Sequence, residues 1–363
     1  MAFVGDPQVD NATQLGYART GVLNELRGRG DLDLVIFLGD LVNDKMELLA
    51  PMTESLDSLG CPWLAVPGNH DRDVYRDGRA RDLSSWRRAT GYVDTSFVMK
   101  GIRFILMNDV RTVGRAGYEA GWSEAQKIWL ADILSRCPSG QRIVLAAHIP
   151  FEEMHAGDTL SRLLAGKENL LLVTGHTHQV LRRTINIGGR EVESLGVGAA
   201  CGSWWRGFKD ARGVPDALMN CGSPRGYFVC DFSRSGYRLA FKAFGSTAVA
   251  SAGTGEDGRM VVNVFGGSRD GTVKVRRGNS IIPLKRANAM APEVRSRIGW
   301  NRDAGREYFR SHREEFIPLR NLRSPHVWEA ADPLVPAPAP GETVTVIYRD
   351  RHMRFRSKVR VID

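Results

Sequence analysis

Five short apolar runs in this 363-residue chain each end in residue types that bind metals, and this pairing constrains the fold more than any other feature. Ala2–Val4 leads into Gly5-Asp6-Pro7-Gln8, and 34–38 leads into Gly39-Asp40-Leu41-Val42-Asn43-Asp44. The run 64–66 precedes Gly68-Asn69-His70-Asp71, 143–147 precedes His148-Ile149-Pro150, and Leu170–Thr174 precedes Gly175-His176-Thr177-His178. Runs this short, fully apolar and bounded by turn residues, read as buried strands. Between them, 13–27, 47–59, 83–89 and 124–134 carry helical apolar spacing, the last opening on Ser123 as N-cap. Strands alternating with helices predict a layered α/β fold. Ligands in such folds gather at the carboxyl ends of strands, so the five loops should converge on one crevice.

After Thr174 the pattern turns to strands at Val180–Ile187, 191–197, 227–232 and 237–244, with Gly188-Gly189 as a hairpin signal. The small, polar stretch 246–259 reads as a linker. Beyond it, 260–265, 272–276, 343–348 and 354–362 predict a separate β-rich, sandwich-like module. The domain expectation is therefore 1–245, a linker, and 260–363. No apolar stretch approaches the length that a membrane-spanning helix needs. Five scattered cysteines make neither a disulfide scaffold nor a metal finger.

Taken singly, each motif has a plain explanation. A Gly-Asp after a strand is a turn, an Asn-His-Asp can cap a helix, and a strand-end His148 can be a satisfied core histidine. Five in one order are hard to assign to independent turns.

The run Gly39-Asp40, Gly68-Asn69-His70-Asp71, His148 and Gly175-His176-Thr177-His178 resembles the calcineurin-like metallophosphoesterase superfamily. The resemblance implies a four-layered αββα sandwich that binds two metal ions and hydrolyses phosphoric esters. Carried over by motif, Asp6, Gln8, Asp40 and His178 hold one metal. Asp40, Asn69, His148 and His176 hold the other, with Asp40 bridging, and His70 is the general acid. Two bridged ions ~3.5–4 Å apart share a hydroxide nucleophile, and they cancel charge on the phosphoryl oxygens. Ligands without thiolate suit Mn, Fe or Zn.

Two departures stand out. The usual Asp-x-His reads Asp6-Pro7-Gln8, which puts a neutral carbonyl oxygen where an imidazole is common. The usual Gly-Asp-x-x-Asp has its second acid one position late, which leaves Asn43, Asp44 and Asp71 as partners for His70, with Asp44 favoured. Asp-Pro-Gln itself resembles a bacterial subgroup with an extra C-terminal domain. That similarity continues through Gly198–Trp205, 222–227, 262–265 and His326-Val327-Trp328-Glu329.

Trp204, Trp205 and Arg206 are candidates for substrate binding, since tryptophan offers flat apolar faces and arginine meets phosphate. Core packing is the alternative for the two tryptophans. Glu152, Glu153 and His155 read as lid or surface residues, and Cys201 as packing without a base partner.

The expected activity is dinuclear hydrolysis of a small phosphorylated metabolite or cell-envelope component, as monoester or diester. A nuclease is one rival: residues 246–363 carry 21 basic and 13 acidic side chains, most of the net +9. A binding or scaffold protein with a degenerate metal site is the other, with Gln8 as its only sign. With no secretory signal and a core strand at Ala2, an upstream segment is expected to have been removed. The odd cysteine favours a reducing compartment and the resemblance favours export, so no compartment is assigned.

Overall fold

Strand β1 (Ala2–Val4) lies beside β2 (Val35–Phe37), which pairs in parallel with β3 (Trp63–Ala65). The computed structural model to which these strands belong describes residues 1–73, 82–115, 117–154, 157–207, 209–233, 236–303 and 323–362. Contacts divide the chain into two units. One comprises Phe3–Thr177 and Arg182–Val197; the other comprises Met1–Ala2, His178–Leu181 and Gly198–Asp363.

The first unit contains a second, larger sheet. Its strands are β4 (Thr95–Met99), β5 (Ile102–Leu106), β8 (Ile143–Ala146), β9 (Leu170–Thr174), β10 (Val180–Ile187) and β11 (Arg190–Val197). A hairpin of β6 (Val110–Val113) and β7 (Gly117–Ala120) stands apart from it. Strands β5, β8, β9 and β11 run parallel, in the order β10-β11-β9-β8-β5-β4. Every residue of β8 and β9 is buried, as expected of parallel strands covered on both faces. Leu145, Leu172 and Ile105 pack with Leu130 and Leu134 of the helix Glu124–Ser135. That helix opens with a reciprocal Ser123–Gln126 capping box. The helical stretch at 13–27 forms as expected but is interrupted by a π-turn, Arg19–Leu23.

The second unit opens with the hairpin β12 (Gly226–Ser233) and β13 (Gly236–Ala243). Next come β14 (Ala250–Thr254), β15 (Met260–Val264), β16 (Thr272–Arg277), β17 (Ser280–Met290), β18 (Arg323–Ala330), β19 (Thr343–Arg349) and β20 (Arg354–Arg360). These seven form one sheet, in the order β14-β15-β18-β17-β16-β19-β20. Strand β14 lies inside the small-residue stretch 246–259 and pairs along its whole length with β15. A bridge between Ala252 and Val361 brings the two edge strands together, so the sheet curls around its own apolar interior. Val262, Val275, Trp328, Val346 and Tyr348 form that interior. On the outer side, Val294 of the helix Pro292–Asp303 packs on Val261 and Val327. Beneath this helix, His326 Nδ1 lies 2.8 Å from Asn263 Oδ1, and Asn263 Nδ2 donates to Glu293 Oε2 at 3.2 Å. The architecture is mixed α/β with a C-terminal β-rich domain.

Candidate metal centre

In the first unit each motif follows the carboxyl end of its strand, so five separate loops meet at one edge of two sheets. Four side chains come together there. His148 Nε2 lies 3.1 Å from Asn69 Oδ1, 3.2 Å from His176 Nδ1 and 3.4 Å from Asp40 Oδ2. The other ring nitrogen, His148 Nδ1, lies 2.7 Å from the Leu38 carbonyl and donates to it. With its proton on Nδ1, the neutral ring would offer the Nε2 lone pair to a metal among the other acceptor atoms gathered there. Ligand atoms of Asp40, His148 and His176 all lie within 4.8 Å of one another. Four ligands at ~2.0–2.1 Å from a tetrahedral ion would stand roughly 3.3 Å apart, which matches the three spacings around His148 Nε2. The residues fit a metal.

Charge supports the same conclusion. Burial alone would lower the His148 imidazolium, but Asp40 and Asp6 outweigh it and raise the group to about 10. Burial would raise Asp40, yet His148 and His70 hold it well below the usual carboxylate range. Asp6, fully buried and close to Asp40, is pushed well above that range. A centre that draws positive charge this strongly suits a divalent cation.

The remaining motif residues have distinct partners. Asp6 accepts the His176 backbone N–H, at 3.0 and 3.1 Å from its two oxygens. Gln8 is buried, its Nε2 donating to Asn43 Oδ1 at 3.3 Å while its Oε1 has no hydrogen-bond partner among the described residues. An unpaired buried carbonyl oxygen is costly unless something binds it, and a metal would do so. His70 Nδ1 meets Asp44 Oδ2 at 3.1 Å. Asp71 instead braces the loops, accepting from Val42 N at 3.0 Å and Gly68 N at 2.8 Å. Asn43 Nδ2 donates to Asp10. Each of the three partners considered for His70 thus has its own place, and Asp44 is the one at the ring.

Backbone strain is concentrated here. Asp6, Gln8, Asp40, Asp44, His176 and His178 all have positive φ, between 34° and 70°, a region that side chains rarely adopt outside functional sites. The glycines beside them allow close approach. A Cβ on Gly68 would stand 2.1 Å from Asp40 Oδ1, and one on Gly39 2.4 Å from His148 Nδ1.

His178 belongs to the second unit. Its Nδ1 lies 2.7 Å from the Gly202 carbonyl, which leaves Nε2 as the acceptor, and Trp204 stacks on its ring at 6.3 Å and 9°. Arg206 lies over Trp204 at 5.4 Å. Trp205 is buried beneath the Arg225 guanidinium, so Trp204 and Arg206 are the half-exposed members of that segment. Cys201 is buried as expected, and its Sγ lies 3.7 Å from His178 Nδ1, the nitrogen that donates to the Gly202 carbonyl and so offers the thiol no base. His155 lies outside the described residues.

Three contributors were missed from sequence. Asp109 is buried and accepts from the backbone of His148 and Ile149, positioning that loop; burial pushes its carboxyl up to about 7. Its position directly after β5 was the available signal. Buried Arg72 donates to the Asn69 carbonyl and to Thr112 Oγ1. Its guanidinium stacks on Tyr118, which meets the His176 ring edge-on at 6.0 Å. Only the folded β6–β7 hairpin brings those two into range.

Comparison with known proteins gives the same assignment. The family described as calcineurin-like phosphoesterase matches residues 2–180, and the C terminal of calcineurin-like phosphoesterase matches residues 195–354. No curated protein sequence matches. Among solved structures, a dimetal phosphatase from Danio rerio is 14% identical, covering 72% of this chain and 94% of its own, with TM-score 0.40. A phosphatase from Mycoplasma pneumoniae is 13% identical, covering 67% and 94%, with TM-score 0.36. Zinc-complexed Vps29 from Entamoeba histolytica is 15% identical, covering 68% and 93%, with TM-score 0.31. Two family matches that leave few residues uncovered, together with the metal-fitting cluster, make this chain a member of the calcineurin-like phosphoesterase family.

Proposed function

We propose that the chain is a dinuclear metal-dependent phosphoesterase acting on a small phosphorylated metabolite or cell-envelope component. One observation carries this reading: acceptor atoms of Asp40, Asn69 and His176 surround the free Nε2 of His148 at 3.1–3.4 Å. In this reading Asp40, Asn69, His148 and His176 hold one ion. Asp6 and Gln8 hold the second, with Asp40 shared. The orphaned Gln8 Oε1 supports that second set. When bound, the ions would polarise the phosphoryl oxygens and make water a nucleophile at neutral pH.

The chain's own residues supply the rest. His70 is about one-third exposed, and its backbone N–H donates to Asp40 Oδ1 at 2.9 Å, which ties it to the centre. Burial lowers its pKa, but the bond to Asp44 and the charge of Asp40 outweigh this and raise it. A raised imidazolium beside the centre is suited to donate a proton to the departing alkoxide, typically worth ~10²–10⁴ in rate. Asp44 orients the ring and holds its proton on Nδ1, so Nε2–H is the donor.

Hydrolysis of paired chromogenic monoester and diester substrates, with Mn²⁺, Zn²⁺ or chelator, tests the reading. Metal-dependent turnover that chelator abolishes is expected, and the ratio of the two rates assigns the ester class. Folded, metal-loaded protein that turns over neither ester would overturn it and favour a binding role.

A further inference from the structure

The outer face of the C-terminal sheet is divided. Over β15 and β18 it is covered by the helix Pro292–Asp303. Over β16, β19 and β20 it carries cations. On β20, alternation places Arg354, Arg356, Lys358 and Arg360 outward, all exposed, while Val359 points to the interior. Register aligns them with further cations. Arg354 stands opposite Arg349, and Arg356 lies in one row with Ile347 and Lys274. Lys358 lies in one row with Thr345 and Arg276.

No acidic residue occurs in β16, β19 or β20. Among the described residues these seven cations make no ion pair, whereas other arginines of the unit do: Arg277 with Glu342, Arg259 with Asp257 and Glu329. Like charges opposite one another in a sheet cost stability, so the Arg349–Arg354 pair is expensive unless an anion lies over it. The four β20 cations repeat roughly every 6.7 Å over about 20 Å, and the neighbouring strands lie ~4.8 Å away.

We propose that this face docks on an anionic lipid bilayer. Charge complementarity supplies the attraction, and the side chains between the cations select the partner. Ile281, which is 44% exposed, lies in the Lys358–Arg276 row, and Ile347 lies between Arg356 and Lys274. Apolar side chains among cations suit the boundary of headgroups and acyl chains. Single-stranded nucleic acid is instead bound on aromatic platforms, and no aromatic points outward from these strands. Tyr348 is buried in the interior, and Phe355 packs against it. Among the described residues no helix is long and apolar enough to cross a membrane, so this contact is peripheral.

The test is partition of the full chain onto vesicles of phosphatidylcholine with or without phosphatidylglycerol. Binding is expected only with phosphatidylglycerol at low salt, and release as salt rises. R354Q/R356Q/K358Q should weaken partition on the order of 100-fold, about fivefold for each cation near the surface. Its melting temperature should not fall, since the variant relieves the Arg349–Arg354 repulsion, and its turnover of a soluble phosphoester should stay unchanged. K100Q/R136Q/R183Q, which removes as much charge from the other unit, should bind like wild type. Equal losses in both triple variants would reduce the effect to net charge and overturn the proposal. Absent vesicle binding would overturn it too, and capture of a fluorescent oligonucleotide at the same salt would reassign the face to nucleic acid.

Discussion

Asp44 and His70 are 26 residues apart, yet their side chains meet at 3.1 Å and Asp44 N donates to the His70 carbonyl at 3.1 Å. Side chain and backbone thus clamp the same pair. The positive φ of Asp44 (57°) turns its carboxylate back toward the imidazole. An acid one position later than usual in its motif therefore still reaches the ring.

If His70 donates the leaving-group proton, its removal should matter most where the leaving group is poor. His70→Ala is expected to lower kcat by ~10²–10⁴ on an alkyl phosphate and far less on a nitrophenyl phosphate. Asp44→Asn should show the same dependence with a smaller loss. Equal losses across leaving groups in a series of esters would assign His70 to binding instead.

Gln8 is expected to hold metal through its unpartnered Oε1. Gln8→Ala should lower the metal content of purified protein by one ion per chain. Gln8→His, which restores an imidazole, should retain both ions at lower free metal. Elemental analysis and metal titration read this directly, and a Gln8→Ala protein with unchanged content would place Gln8 outside the metal shell.

Gly68 is held by space alone, since its added Cβ would stand 2.1 Å from Asp40 Oδ1 and 2.4 Å from Asp40 N. Gly68→Ala must therefore shift the shared carboxylate. Overpacking of this kind costs about 1–3 kcal/mol, visible as a lower Tm, and metal affinity should fall with it. Gly140→Ala is the informative control: its φ is positive (+74°), unlike that of Gly68, but the space around it is open. It should destabilise the fold without touching metal binding.

His326 supplies a pH test away from the metal centre. Burial, with Arg286 adding to it, pushes its pKa down to about 4. The native state therefore holds it neutral, while the unfolded chain protonates near 6.5. Its contribution to stability is complete above pH 6.5 and is lost as pH falls toward 4, on the order of 3 kcal/mol in total. His326→Gln, which can still donate to Asn263 Oδ1, should show a shallower fall in Tm over that window. Titration of the His326 ring by NMR should give a midpoint near 4; one near 6.5 would contradict the burial argument.

The alternation of apolar runs with Gly, Asp and His motifs was enough to name the strands β1, β2, β3, β8 and β9, and to predict that their loops share one edge. The reason is local: a buried strand must be apolar, and a ligand-bearing loop must be polar. The helix at Glu124–Ser135 was legible to its N-cap because its capping box lies in adjacent residues. Strand β14 was not legible, since Ala-Ser-Ala-Gly-Thr has a loop's composition and becomes a strand only by pairing with β15. Residue types favoured Asp44 over Asn43 and Asp71 for His70 but could not decide it, because the backbone conformation decides which side chain reaches the ring. Tyr118 reaches Arg72 and His176 only through the packing of a hairpin. The basic excess of the C-terminal residues could be counted from sequence. Its gathering onto one face required the pairing of β16, β19 and β20, because strands far apart in the chain are aligned by long-range hydrogen bonds and not by their own sequence.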